Sequence, residues 1–82
     1  MPNWLKIGKI HTLKVTTGLF DNHIDNHNRN YIKYLHPPTF FMVLEAKKVE
    51  SFQGCYSVKI FTDGGNLGYI RLFRSEVEVC SG

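Results

Sequence analysis

Residues 39–80 alternate apolar and polar side chains in short runs separated by turn chemistry, and this constrains the fold more than any other feature of the chain. The runs are Phe40-Phe41-Met42-Val43-Leu44-Glu45-Ala46, Tyr56-Ser57-Val58-Lys59-Ile60-Phe61 and Leu67-Gly68-Tyr69-Ile70-Arg71-Leu72-Phe73, closed by Val77-Glu78-Val79-Cys80. Side chains in a strand alternate between two faces, so such runs read as an antiparallel meander of half-buried strands. Asp63-Gly64-Gly65-Asn66 joins two of them with residues that tolerate positive φ, which specifies a tight hairpin.

The alternation also assigns faces. Tyr56, Val58 and Ile60 point one way, with Ile70 and Leu72 on the next strand and Val77 and Val79 on the last; these are the expected interior. Phe61, Tyr69, Arg71 and Phe73 then point the other way, and two Phe and a Tyr on an outer face call for a cover. The chain's own residues 19–38, a second copy or another partner could supply it.

With 82 residues there is room for one domain over residues 1–82. A chain of this size buries only about 60–65% of the surface its unfolded form exposes, so closing the sheet into a small barrel would help by removing open strand edges. An opening strand over residues 4–16, kinked at Gly8, would supply the fifth strand. Between it and the meander lies a polar excursion, about residues 18–38, with the tandem echo Asp21-Asn22-His23-Ile24 and Asp25-Asn26-His27-Asn28. Ile24, Tyr31, Ile32 and Leu35 fall at spacings that suit one helical face, although Asn and Asp disfavour helix, so one or two helical turns are expected there before His36-Pro37-Pro38 forces an extended exit.

The net charge of +3 comes from ten Lys and Arg scattered against seven Asp and Glu, which permits an anionic partner without demanding one. Cys55 and Cys80 are too few for a secreted disulfide framework and form no CxxC pair, so two thiols are expected, with a single bridge pinning the last strand as the alternative. No signal peptide or membrane-length apolar run is visible, which leads to the expectation of a soluble cytoplasmic protein with no membrane partner; a virus or phage would suit it as well as a cell.

The stretch Gly68-Tyr69-Ile70-Arg71-Leu72-Phe73-Arg74-Ser75-Glu76-Val77-Glu78-Val79 resembles the closing portion of an SH3-like barrel, and Lys6-Ile7-Gly8-Lys9-Ile10 looks like the Gly-containing first strand of such barrels. The proline common at the turn of peptide-binding SH3 domains is replaced by Arg71, which argues against proline-rich ligands. In size and strand count the chain is also similar to Sm-like proteins, which assemble into rings and bind RNA. The resemblance implies an all-β, five-stranded SH3-like or Sm-like small barrel carrying a long polar, part-helical excursion after its first strand.

No nucleophile stands beside a base in sequence, and the Gly-rich hairpin lacks the strand-to-helix setting of a phosphate loop, so a non-catalytic protein with no cofactor is expected. The expected role is a binding or assembly module that self-associates or takes a protein partner. The alternative is a nucleic-acid-binding barrel, its bases stacking on an aromatic and basic surface of Lys59, Phe61, Tyr69, Arg71, Phe73 and Arg74. A remoter alternative uses His23 and His27, four apart with Asp21 and Asp25 interleaved, as metal ligands completed by His36 or His11.

Overall fold

The computed structural model describes residues 2–79, position 79 by its backbone alone. The seven strands are β1 (Ile10–Leu13), β2 (Thr17–Phe20), β3 (Tyr31–Leu35), β4 (Thr39–Lys48), β5 (Tyr56–Thr62), β6 (Leu67–Leu72) and β7 (Val77–Val79), with a 3₁₀ turn at Arg74–Glu76. They form one antiparallel sheet in the order β3-β2-β6-β5-β4-β1-β7. Among the described residues no helix is long and apolar enough to cross a membrane.

The meander is where the alternation puts it. β4 pairs with β5 and β5 with β6, and Val58, Ile60, Ile70, Leu72 and Val77 are buried as expected, while Tyr56 is half-buried. The 63–66 hairpin is closed by Thr62 N–H donating to the Asn66 carbonyl (2.8 Å) and Gly65 N–H to the Thr62 carbonyl (3.0 Å), with Gly65 at φ +84. Gly8 marks the kink, at φ +80, but the opening strand is shorter than expected. Ahead of it the chain turns inward, burying Leu5 and setting Trp4 edge-on against Tyr56 at 5.7 Å.

The expectation of a closed five-stranded SH3-like or Sm-like barrel is overturned, and so is the part-helical excursion. Thr17 and Gly18, just past the expected opening strand, begin a strand of their own. The two flanks of the excursion pair as β2 and β3, and β2 adds to β6, so the sheet extends past the meander. Among the described residues it therefore ends in two edges, β3 and β7, with no ladder joining them. The tip between the flanks is a series of turns, consistent with Asn and Asp side chains competing for backbone groups: Asn22 Oδ1 accepts from His23 N–H (2.8 Å) and Asn26 Oδ1 from Asn28 N–H (2.8 Å). A binding module built on a small closed barrel, and its nucleic-acid-binding Sm-like variant, lose their structural basis with the barrel.

The open sheet nevertheless shares one core. Leu13, Leu19, Leu35, Phe41, Val43, Val58, Ile60, Ile70, Leu72 and Val77 form a single cluster, so strands at both ends of the sheet reach it and the sheet must coil strongly around it. A register shift between Val43 and Glu45 in β4 supplies a sharp local bend. The seam where β2 meets β6 is tight: a Cβ on Gly68 would lie 2.7 Å from the Phe20 carbonyl oxygen and 2.8 Å from Leu19. Only glycine lets these backbones approach so closely. Expectations for the Val79 side chain and for Cys80, including a Cys55–Cys80 bridge, lie outside the described residues; Cys55 itself is a buried thiol whose pKa is pushed up chiefly by burial.

Candidate functional site

The outer face of the sheet can be read as three transverse rows from the strand registers. The first runs Ile10–Met42–Phe61–Leu67 across β1, β4, β5 and β6. The second runs Glu45–Lys59–Tyr69–Phe20 across β4, β5, β6 and β2, and the third Lys47–Ser57–Arg71 across β4, β5 and β6.

The excursion tip folds over the second and third rows. The His23 ring packs against the Tyr69 ring at 4.5 Å, and its nitrogens join the two rows: Nδ1 lies 2.8 Å from Ser57 Oγ and Nε2 3.0 Å from Glu45 Oε1. Ile24 N–H donates to the same Ser57 Oγ (3.0 Å), and Lys47 forms an ion pair with Asp25 (3.2 Å) that holds the Asp25 carboxyl below its usual range. Part of the cover that the outer aromatics call for is therefore the chain's own.

Ser57, His23 and Glu45 together make a hydroxyl–imidazole–carboxylate chain, the geometry associated with an activated serine. No sequence motif announces it, because the three residues are brought together only by sheet register and the folded tip. Ser57 is fully buried beneath Ile24, its oxygen already accepts a backbone N–H, and a substrate carbonyl would have to displace the tip to reach it. The trio acts as a latch that fastens the excursion to the sheet.

His23 is thereby committed, and His27 is exposed on the tip. His36 lies beside Thr16 Oγ1 (3.2 Å), and His11 is fully buried, stacked on Phe41 at 5.6 Å. The His11 hydrogen bonds fit one neutral tautomer: Nδ1–H donates to the Lys9 carbonyl (3.0 Å) and Nε2 accepts from Lys6 N–H (3.3 Å). Burial holds its pKa below the ordinary histidine value. No group of three His, Cys, Asp or Glu able to hold a metal occurs among the described residues, so the metal-binding loop is withdrawn.

The six residues expected to form one aromatic and basic surface are divided among four settings. Tyr69 lies under His23 with the Lys59 ammonium 6.0 Å from its ring, and Phe61 stands in the first row. Phe73 and Arg74 flank a shallow hollow with Gly54 and Ser75. Arg71, 5.8 Å from the Phe73 ring, also lines a cleft of about 240 Å³ with Thr17, Gly18, Phe20, Ile24, Arg29, Tyr31 and Tyr34.

That first row is bare. Ile10, Phe61 and Leu67 are 41%, 49% and 52% exposed, Met42 is half-buried between them, and Phe40, two residues from Met42 on the same face of β4, is 43% exposed. Sequence reasoning found only Phe61, because cross-strand register, not spacing along the chain, makes these side chains neighbours. Comparison with protein-family models, with curated proteins and with solved structures gives no match to the chain.

Proposed function

We propose that this chain is a non-catalytic assembly protein that pairs with a second copy of itself by stacking the bare row of its open sheet. The observation carrying the reading is the contiguity of Ile10, Met42, Phe61 and Leu67 across four strands, with Phe40 beside them. A half-exposed side chain of this size offers on the order of 100 Å², so the group presents roughly 400–500 Å² of contiguous apolar surface, the size of the largest patch on an ordinary monomer, which is often functional. A standard interface takes about 800 Å² from each partner, with an apolar centre and a polar rim. The row has the makings of that centre.

A second copy fits because an uncharged apolar row is complementary to itself, as a two-fold interface requires. A non-catalytic role is supported by the chemistry of the groups that could react: the Ser57 hydroxyl is locked in the latch, His11 is held by backbone groups, and the Cys55 thiol is buried with a raised pKa.

Sedimentation equilibrium over a range of concentrations tests the reading. The mass should rise toward twice that of the chain, and Phe61→Asp should hold it at one chain with an unchanged circular dichroism spectrum. A wild-type mass of one chain at high concentration, or a mass that doubles equally in Phe61→Asp, refutes it.

A further inference from the structure

The edge strand β3 and the cleft beside it carry a second, independent inference. Regular strands place residues three apart on opposite faces, yet the Tyr31 and Tyr34 rings meet at 5.2 Å. The pairing explains this: Lys33 faces Leu19 and Tyr31 faces Phe20, which leaves Ile32 as the extra residue of a bulge. The bulge turns Tyr31 onto the face that Tyr34 already occupies, opposite Gly18, against which the Phe20 ring packs. Both tyrosines remain more than half exposed, and Phe20 lies edge-on to Tyr31 at 6.3 Å.

Charge in the cleft is of one sign. Arg29 and Arg71 line it, and no carboxylate does. The Arg29 guanidinium is held in place, one nitrogen donating to the Ile24 carbonyl (2.6 Å) and its carbon 5.3 Å from the centre of the Phe20 ring, which leaves its other nitrogens for a ligand. Arg71 makes a ring contact with Phe73 but neither a hydrogen bond nor an ion pair among the described residues. Lys33 lies on the other face of β3 and does not line the cleft, and the nearby Asp21 is occupied by the backbone N–H and side-chain amide of Asn30 (2.7 and 3.1 Å).

Among the described residues β3 pairs on one side only, so the outward N–H and C=O groups of this five-residue strand, interrupted at the Ile32 bulge, are open to an added strand. We propose that β3 takes an extended acidic segment of a partner protein as an added strand, with a carboxylate side chain reaching into the cleft between Arg29 and Arg71. Backbone pairing on β3 supplies the affinity, and the paired guanidinium groups against an aromatic wall select the acidic side chain. The partner differs from the second copy stacked on the apolar row, and the two surfaces act separately.

Random seven-residue peptides displayed on phage and selected on the full chain test this. Enriched peptides should carry Asp or Glu at alternate positions and should shift the amide resonances of Tyr31–Leu35. They should bind the double variant Arg29→Glu, Arg71→Glu at least tenfold more weakly. Both arginines are exposed, so the variant should keep the wild-type spectrum away from the cleft and its concentration-dependent mass. No enrichment over an uncoated surface, enrichment of neutral or basic peptides, equal binding to the double variant, or shifts confined to the apolar row overturn the proposal. Loss of peptide binding on addition of excess Glu78→Lys chain as well as wild-type chain would leave it standing; competition by wild type alone overturns it, because the occupant would then be the acidic β7 edge of another copy.

Discussion

The two halves of the outer sheet face share strands β4, β5 and β6, yet they have opposite fates. On one half Tyr69 and Ser57 lie beneath His23 and Ile24, fastened by hydrogen bonds and the Asp25–Lys47 pair. On the other, Ile10, Met42, Phe61 and Leu67 meet solvent. The covered half shows how this chain buries an outer aromatic when its own excursion can reach it. The bare half lies beyond the excursion's reach and is free to be covered by another molecule. An aromatic on the solvent side of a strand therefore has no fixed meaning in this fold; its row decides.

Disturbing the seam that carries the excursion should have the largest effect. Gly68→Ala pushes a methyl group into the Phe20 carbonyl and Leu19, and should cost about 1–3 kcal/mol in urea unfolding. Phe61→Ala on the bare half, by contrast, should leave the stability of the dissociated chain within about 0.5 kcal/mol. Equal losses would erase the distinction between the halves.

Opening the latch comes next. Ser57→Ala removes the acceptor of the half-buried Ile24 N–H and should cost about 1–2 kcal/mol. A fluorophosphonate probe should leave the wild-type chain unlabelled. Labelling that disappears in Ser57→Ala would show the serine to be reactive and would turn the latch into a catalytic group.

A pH dependence should follow from His11. Its pKa in the folded chain lies below the unfolded value of 6.5, so between the two the unfolded chain binds more protons. Stability is then highest above about pH 6.5 and falls as the pH drops through that value toward the folded pKa. Thermal melts from about pH 7 to 5 should show this loss, and His11→Phe, which keeps the contact with Phe41, should flatten that part of the profile. The smallest effect belongs to the exposed Asp25–Lys47 pair: Asp25→Asn should leave the melting midpoint unmoved at 0.5 M salt, the tip staying fastened by Ser57 and His23.

The sequence makes some of this architecture legible, and the reasons are local. Val58, Ile60, Ile70 and Leu72 declare their face because two-residue periodicity survives intact through β5 and β6. The Asp63-Gly64-Gly65-Asn66 turn is equally plain, being written in residues that accept positive φ. β2 and β3 are hidden because the bulge at Ile32 breaks the alternation, while Ile24, Tyr31, Ile32 and Leu35 imitate a helical face. The missing hairpin then turned an open seven-stranded sheet into an expected five-stranded barrel. Neither the bare row nor the Ser57–His23–Glu45 latch can be read from spacing, since each joins residues from separate strands or loops through register alone.

The stacking of two copies on the bare row is tested most directly by isotope-filtered NMR. A mixed sample of methyl-labelled and unlabelled chain should be observed at the Met42 methyl, one of only two methionine signals in the protein. Stacking on the bare row predicts intermolecular contacts from Met42 of one copy to the side chains of Phe61, Leu67 or Ile10 of the other. A sample whose mass is that of two chains but whose Met42 methyl shows no intermolecular contact, or in which such contacts arise at Tyr31 and Tyr34 instead, contradicts it.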